Sequence, residues 1–136
     1  MKYLFALFAV AIMSLTNCKK DDTASIVGNW SLINDSVYSN VGIYSTAHNY
    51  KGLNSDYFYF SDDGWLYVKE DSLFDTLNYR LLSNNRIIID SISIVENGEY
   101  MPSNITTLTA HKASLAMVPG VQNPGGIYAR YINLRR

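Results

Sequence analysis

The chain alternates between apolar and polar residues over short segments, a period of two that is typical of β-strands. The clearest case is residues 56–61, where two phenylalanines share one face and two tyrosines share the other. The next three residues, Asp62-Asp63-Gly64, form a turn signal, and the alternation resumes over 65–69. We therefore predict a β-hairpin at this point, with Gly64 supplying a positive φ in its turn.

The same period continues through most of the chain after residue 25. We predict further strands over 26–33, 73–82, 86–90, 92–95, 99–101, 105–110, 113–118 and 127–134. Residues 34–55 show no clear period, so we predict a long loop there, with hidden short strands or helical pieces as the alternative. Because a helical period never extends beyond a turn or two, we predict an all-β domain of about eight to ten short strands. A meander, a barrel and a sandwich all fit this pattern.

The residues before this domain have the pattern of an export signal. Lys2 precedes an apolar run from Tyr3 to Met13, which is shorter than the roughly 20 residues that span a bilayer as a helix. The following Leu15-Thr16-Asn17-Cys18 resembles a bacterial lipobox, in which the cysteine becomes the lipidated first residue of the mature protein. Asn17 departs from the small residue that this pattern usually has. The alternative, an ordinary secretory signal, would leave one unpaired thiol in an oxidising compartment.

The domain organisation follows from that motif. We predict a helical signal peptide over 1–17, a flexible tether over 18–25 that carries the lipid on Cys18, and one folded domain over 26–136. Acyl chains such as palmitate would then hold the protein at a membrane. The tether's Lys-Asp-Asp core resembles the charged export signal of some gram-negative surface lipoproteins. We therefore expect a lipoprotein of the outer membrane, facing the periplasm or the cell surface.

The start of the domain resembles a known family. Gly28-Asn29-Trp30 followed by antiparallel hairpins resembles the Gly-x-Trp signature of lipocalins, and the whole domain looks like the lipocalin-like lipoproteins of gram-negative bacteria. The resemblance implies a small antiparallel meander β-barrel. Lipocalins also place a basic residue of the last strand across the tryptophan at the closed end. Because Arg130 shares a predicted strand face with Ile132, the resemblance implies a structural pair of Trp30 with Arg130, and Arg135 is the second candidate.

Composition and motifs narrow the classes of function. The net charge is −1 and no basic run is present, so we expect no nucleic-acid partner. The chain has two histidines and one cysteine, and the lipobox uses that cysteine, so we predict no metal site and no cofactor. No Gly-x-Ser-x-Gly motif and no phosphate-binding glycine loop occur. We find no catalytic residues and predict that the protein is not an enzyme.

The aromatic residues of the predicted hairpins suggest binding. The sequence has 11 tyrosines beside five phenylalanines and two tryptophans, and such rings combine apolar area with a polar tip. We predict a barrel that binds a small apolar or amphipathic ligand, in a cavity lined by Phe58, Phe60, Trp65, Tyr67 and Tyr79. One stripe could instead be core and the other a half-exposed sheet face. The alternative function is a non-enzymatic accessory subunit that docks onto a partner in a cell-envelope complex.

A short triplet also recurs. Asp, then Ser or Thr, then a residue such as Ala, Ile, Leu or Val occurs five times, whereas composition predicts roughly 0.5 occurrences. The triplet resembles the acceptor of a periplasmic O-glycosylation system, which implies glycans on Thr23 and on Ser36 or Ser72. The competing explanation is structural, because Asp-Ser and Asp-Thr pairs start turns before strands.

Overall fold

The structure is a computed structural model that describes residues 24–41, 44–82, 85–93, 95–96, 98–117 and 127–136. The secondary structure of these residues is all β, as predicted, and none of them forms a helix that could span a membrane. The strands are β1 (Gly28–Val41), β2 (Tyr44–Lys51), β3 (Tyr57–Phe60), β4 (Trp65–Glu70), β5 (Leu73–Leu82), β6 (Arg86–Ile89), β7 (Val95–Glu96), β8 (Glu99–Tyr100), β9 (Ser103–Leu108), β10 (Lys112–Met117) and β11 (Ile127–Arg135).

Eight of these strands close into an antiparallel barrel. The order around the ring is β1, β3, β4, β5, β6, β9, β10 and β11, and β11 pairs again with β1. Neighbouring strands of the ring follow one another along the chain, with two interruptions outside the ring. β2 lies between β1 and β3 in sequence and pairs only with β1, and the β7–β8 hairpin lies between β6 and β9. The prediction of a small antiparallel meander β-barrel is therefore confirmed.

The predicted hairpin is confirmed and the predicted long loop is wrong. β3 and β4 pair from Tyr57–Lys69 to Phe60–Leu66, and Gly64 between them has a φ of +89°. Residues 34–41 and 44–51, by contrast, form the second half of β1 and all of β2, which pair along their length. Side chains 46–49 of β2 are all exposed. Because both faces of this strand meet water there, its sequence carries no alternation of apolar and polar residues.

β1 contains a β-bulge and pairs with two different strands along one of its edges. The first part of β1 pairs with β3 and the rest with β2, and its register against β11 shifts between Leu32 and Asn34. The inward-facing positions are even-numbered before the shift and odd-numbered after it, as the burial of Trp30 and Asp35 shows. Gly52 packs here against the backbone. A Cβ at this residue would lie 2.2 Å from the carbonyl oxygen of Leu32, so no other residue fits.

The interior of the barrel is filled by large apolar side chains. Trp30, Phe58 and Phe60 are fully buried, and Tyr79 meets the ring of Phe60 edge-on at 5.1 Å between centroids. The other fully buried apolar residues in the described part of the chain are Ile26, Leu66, Ile87, Ile89, Ala113, Leu115, Met117, Ile132 and Leu134. The hydroxyl of Tyr79 donates a hydrogen bond to the carbonyl of Ser61 at 2.5 Å. This packing leaves the middle of the barrel solid rather than hollow.

Residues 25–30 and Arg136 meet at one end of the barrel, which we call the closed end. The indole N–H of Trp30 donates to the carbonyl of Ile26 at 2.6 Å, and the guanidinium of Arg136 lies 4.0 Å from the centroid of the Trp30 ring. Arg136 also donates to the carbonyls of Ser25 and Val27. Gly28 has a φ of +122°, and a Cβ there would lie 2.7 Å from Nη2 of Arg136. Glycine is therefore required beside this arginine.

The predicted pairing of Trp30 with Arg130 is wrong, and so is the second candidate, Arg135. Arg130 lies on β11, six residues before Arg136, a distance of roughly 20 Å along an extended chain, and it pairs with Asp35 instead. Arg135 is exposed and its neighbour Leu134 is buried, so its side chain points out of the barrel. Alternate residues of one strand share a face, and the period alone could not choose between residues 130 and 136.

We predict that Arg136→Ala lowers the free energy of unfolding by about 1–2 kcal/mol, because it removes the cation–π contact and the hydrogen bonds to residues 25 and 27. Arg135→Ala is the matched control and should change stability by less than about 0.5 kcal/mol. Urea unfolding monitored by tryptophan fluorescence measures both. Equal losses in the two variants would contradict the assignment of Arg136 to the closed end.

Candidate functional site

The end of the barrel opposite to Trp30 contains a cavity of about 440 Å³. We call it the mouth cavity. Its wall comes from the second half of β1, from β2, from the turn between β4 and β5, and from the start of β11. The lining residues are Asp35, Val37, His48, Tyr50, Glu70, Asp71, Ser72, Leu73 and Arg130. β2 is not part of the ring and pairs with β1 alone, and it contributes His48 and Tyr50 to the wall.

An ion pair across the β1–β11 seam forms the inner wall of the mouth cavity. Nε of Arg130 donates to both carboxylate oxygens of Asp35, at 3.0 and 2.9 Å, and Nη2 donates to Oδ2 as well. The strand register places Asp35 opposite Ile132 and Val37 opposite Arg130, so the two charged residues are diagonal neighbours on the inner face. The Asp35 side chain is 5% exposed and the Arg130 side chain 15%. The pair is therefore largely withdrawn from water.

Glu70 adds a second carboxylate to the same guanidinium. It is the last residue of β4 and follows Leu66 and Val68 on the inner face of the strand. Its Oε2 atom lies 3.9 Å from Nη2 of Arg130, and its side chain is 22% exposed. Burial and the negative charge of Asp35 raise the pKa of Glu70 to about 7, and the charge of Arg130 offsets only part of this shift. Glu70 therefore gains or loses its proton near neutral pH.

Asp56 holds the rim of the mouth cavity together. It is 1% exposed, and its carboxylate accepts hydrogen bonds from the Tyr50 hydroxyl at 2.5 Å, from the Leu53 N–H at 2.7 Å and from the Asp71 N–H at 3.1 Å. Burial alone would raise the pKa of Asp56, but these hydrogen bonds and the nearby charge of Lys69 outweigh burial and lower it. The hydrogen bond to the Asp56 carboxylate in turn raises the pKa of Tyr50 to about 12.

These contacts fix the rim because they connect three separate segments. Tyr50 lies on β2, Leu53 lies in the β2–β3 loop, and Asp71 lies in the β4–β5 turn with a φ of +54°. A non-glycine residue in that conformation is uncommon and needs local support. The Asp56 carboxylate supplies it by accepting the N–H of Asp71. The turn that follows Glu70 is thereby held against β2.

The charge of the mouth cavity is predominantly negative. Among its lining residues, Asp35, Glu70 and Asp71 carry carboxyl groups, and Arg130 carries the positive charge. Val37 and Leu73 add apolar surface to the same wall. No group of three or more His, Cys, Asp or Glu side chains in the described part of the chain is arranged to hold a metal ion. The arrangement suits a small organic molecule that carries both an apolar part and a polar group.

The residues predicted to line a ligand cavity do not come together. Phe58, Phe60 and Tyr79 are buried in the solid core, whereas Trp65 and Tyr67 are each 38% exposed. The two groups lie on opposite faces of the same sheet because the side chains of each strand alternate between its faces. The alternative expectation, in which one stripe is core and the other is a half-exposed sheet face, describes the structure correctly.

The outer stripe forms an exposed aromatic face on β3, β4 and β5. Tyr59 and Tyr67 are directly opposite across two strands, with ring centroids 5.9 Å apart and planes inclined by 22°. Tyr57 and Asn29 border a shallow groove beside them. Trp65 and Phe74 extend the face, and Phe74 is 69% exposed. This surface is separate from the mouth cavity, whose lining residues it does not share.

The predicted modification sites have different environments. Ser72 is exposed in the β4–β5 turn, whereas Ser36 is 8% exposed and its hydroxyl accepts a hydrogen bond from Asn34. A glycan on Ser36 does not fit this burial, so that prediction is wrong. Cys18 and Thr23 lie outside the residues that the structure describes.

The cavity predicted from the sequence did not include Asp35 and Glu70, which form the charged wall of the mouth cavity with Arg130. Asp35 lies beyond the β-bulge, which reverses the inward parity, and within a range that shows no period. Glu70 carried a usable signal, because it continues the alternation of Leu66 and Val68 and therefore faces inward. Arg130 was recognised as a charge on an apolar strand face that needs a partner, but it was assigned the wrong one.

Glu70 gives the protein a distinctive dependence of stability on pH. Its pKa in the folded protein, about 7, exceeds the ordinary value of 4.5, so between these values the folded state binds more protons than the unfolded state. Stability should therefore fall as pH rises through this window, by on the order of 2 kcal/mol for this residue. We predict that Glu70→Gln flattens that slope and makes the protein more stable than wild type near pH ~8. Urea unfolding across the pH range measures the slope.

Glu99→Gln is the matched control, since Glu99 is exposed on β8 and does not line the mouth cavity. It should leave the slope as in wild type. A wild-type stability that rises from pH ~5 to pH ~8, with Glu70→Gln rising in parallel, would contradict the assigned role of Glu70.

Comparison of the chain with protein-family models, with curated proteins and with solved structures gives no significant match. The mouth cavity, its charged wall and the exposed aromatic face are therefore the features that can support a proposal of function.

Proposed function

We propose that this protein is an outer-membrane lipoprotein, anchored through Cys18, whose lipocalin-like barrel binds a small amphipathic ligand in the mouth cavity. One observation carries the binding proposal. In a barrel that is otherwise filled by apolar side chains, the mouth cavity combines about 440 Å³ of space with Asp35, Glu70 and Arg130 in its wall. This volume lies within the range of small-molecule sites in proteins.

The contents of the barrel limit the size of the ligand. Phe58, Phe60 and Trp30 occupy the interior at the closed end, so a ligand cannot lie along the length of the barrel. It would occupy the mouth cavity, with apolar contacts to Val37 and Leu73 and polar contacts to the charged wall and Tyr50. A short amphipathic molecule fits this space, and a long acyl chain does not.

The position of the anchor supports access to the mouth cavity. The first buried residue, Ile26, packs at the closed end, where its carbonyl accepts the indole N–H of Trp30. Residues 19–25 can extend over no more than roughly 25 Å from the lipid. Anchored in this way, the barrel would turn its closed end towards the membrane and its mouth cavity towards the aqueous side.

The binding proposal predicts a bound mass in the native protein. Native mass spectrometry of the mature protein, extracted from its own host in a mild detergent, should show an adduct that dissociates on activation. Val37→Phe places a ring inside the mouth cavity and should abolish the adduct. Asn49→Phe adds the same ring to an exposed position of β2 that does not line the cavity, and it should retain the adduct. A bare mass for the wild-type protein would contradict ligand binding.

The anchor proposal has a test of its own. We predict that Cys18→Ser moves the protein from the membrane fraction to the soluble periplasmic fraction, because the thiol that accepts the lipid is lost. Fractionation of the host cell followed by immunoblotting measures the distribution. Recovery of the variant with the membranes would contradict anchoring through this cysteine.

The exposed aromatic face favours a second function. Tyr59, Trp65 and Tyr67 are each about two-fifths exposed, and Phe74 is more exposed still. Such a contiguous aromatic surface is typical of interaction sites. An accessory subunit of a cell-envelope complex would use this face and leave the mouth cavity empty, so the bare mass that contradicts ligand binding would favour this alternative.

A further inference from the structure

We propose that the ligand of the mouth cavity is a small organic cation, a protonated amine on a short apolar body, and that its ammonium group pairs with Glu70. This inference rests on the proposed function, since it names the chemical class that the mouth cavity selects. It is carried by the geometry of the cavity wall and by the distribution of charge among the lining residues.

The first step concerns Arg130. A carboxylate ligand would need this guanidinium, but Asp35 already engages it through both carboxylate oxygens. An anion in the mouth cavity would also face Glu70 and Asp71. Like charges in a partly buried site repel more strongly than they do in water. The cavity therefore disfavours an anionic group.

The second step concerns Glu70. Asp35 takes the shorter hydrogen bonds of Arg130, and the Glu70 carboxylate lies 3.9 Å from the same guanidinium, at the limit of an ion pair. When Glu70 is protonated, its carboxyl group also shares a side-chain hydrogen bond with Asp35. Its side chain is mostly buried and lines the cavity. An ammonium group beside Glu70 would gain a charge-assisted hydrogen bond and would separate this carboxylate from the negative charge of Asp35. The apolar body of the ligand would then lie against Val37 and Leu73.

The third step links binding to a proton. The groups that face Glu70 are Asp35 on β1, Arg130 on β11, Asp56 in the β2–β3 loop, and the other ionisable residues of the cavity, His48, Tyr50 and Asp71. With a pKa of about 7, Glu70 changes its protonation state near neutral pH. A cation stabilises the charged carboxylate and lowers that pKa. Binding near neutral pH should therefore release protons from this site to the buffer.

The test uses three probes that share one apolar chain: hexylamine, hexan-1-ol and hexanoate. Isothermal titration calorimetry is performed on the chain from residue 18 onward with Cys18→Ser. We expect hexylamine to bind about tenfold or more tightly than hexan-1-ol at pH ~8, and hexanoate to bind most weakly. The advantage of the amine should decline at pH ~5, where Glu70 is protonated. Titrations in two buffers of different ionisation enthalpy measure the released proton.

Substitutions of two glutamates separate the role of Glu70 from a general effect of charge. Glu70→Gln should reduce the affinity for hexylamine to that for hexan-1-ol and should abolish proton release. Glu99→Gln removes the same charge from an exposed strand and should change neither. Glutamine has the same shape as glutamate, so Glu70→Gln should still bind hexan-1-ol, and this binding checks that the cavity is intact.

The outcomes distinguish this inference from the proposed function. Equal binding of all three probes, or tighter binding of hexanoate, would overturn the selection of cations and leave the mouth cavity as a ligand site. Binding of none of the probes, combined with a bare mass of the native protein, would overturn both. Preference for hexylamine that persists in Glu70→Gln would overturn the role of Glu70.

Discussion

The pairing of β1 with β11 is the constraint on which the rest of the structure depends, because it closes the barrel. β11 runs along β1 from Ser31 to Asn40, whereas the other edge of β1 is divided between β3 and β2. The same seam carries an arginine at each end. Arg136 covers Trp30 at the closed end, and Arg130 pairs with Asp35 at the mouth cavity. One pair of strands thus determines both the closure of the fold and the position of its charged site.

The two arginines differ in how far their charges are withdrawn from water. Arg136 is exposed and lies over a ring, so its charge keeps contact with water. The Arg130–Asp35 pair is largely buried, and the cost of desolvating two ions offsets most of their attraction. A pair of apolar residues in the same space would often stabilise a fold as well or better. The buried ion pair is therefore explained better by the chemistry of the mouth cavity than by a contribution to stability.

The parts of the fold that were predictable are those where one strand face meets the core and the other meets water. The β3–β4 hairpin is the clearest example, since its alternation and its Asp-Asp-Gly turn both appear in the sequence. β2 was not predictable, because its exposed residues 46–49 leave no apolar period. The partner of Trp30 was ambiguous for a different reason, because residue 136, just after β11, continues the alternation of residues 130, 132 and 134, and only the register distinguishes them. The β-bulge after Leu32 then concealed Asp35 by reversing the inward parity.

The pKa values of Asp56 at the rim and of Glu70 inside the mouth cavity are shifted in opposite directions. Asp56 has a lowered pKa, so its hydrogen bonds to three segments persist until the solution becomes strongly acidic. Glu70 has a raised pKa and changes charge near neutrality, within a frame that Asp56 keeps fixed. Because Asp56 holds the rim in place, a change in the protonation of Glu70 alters the charge of the mouth cavity without opening it. Protonation of Glu70 therefore changes the charge of the mouth cavity near neutral pH while the barrel around it stays folded.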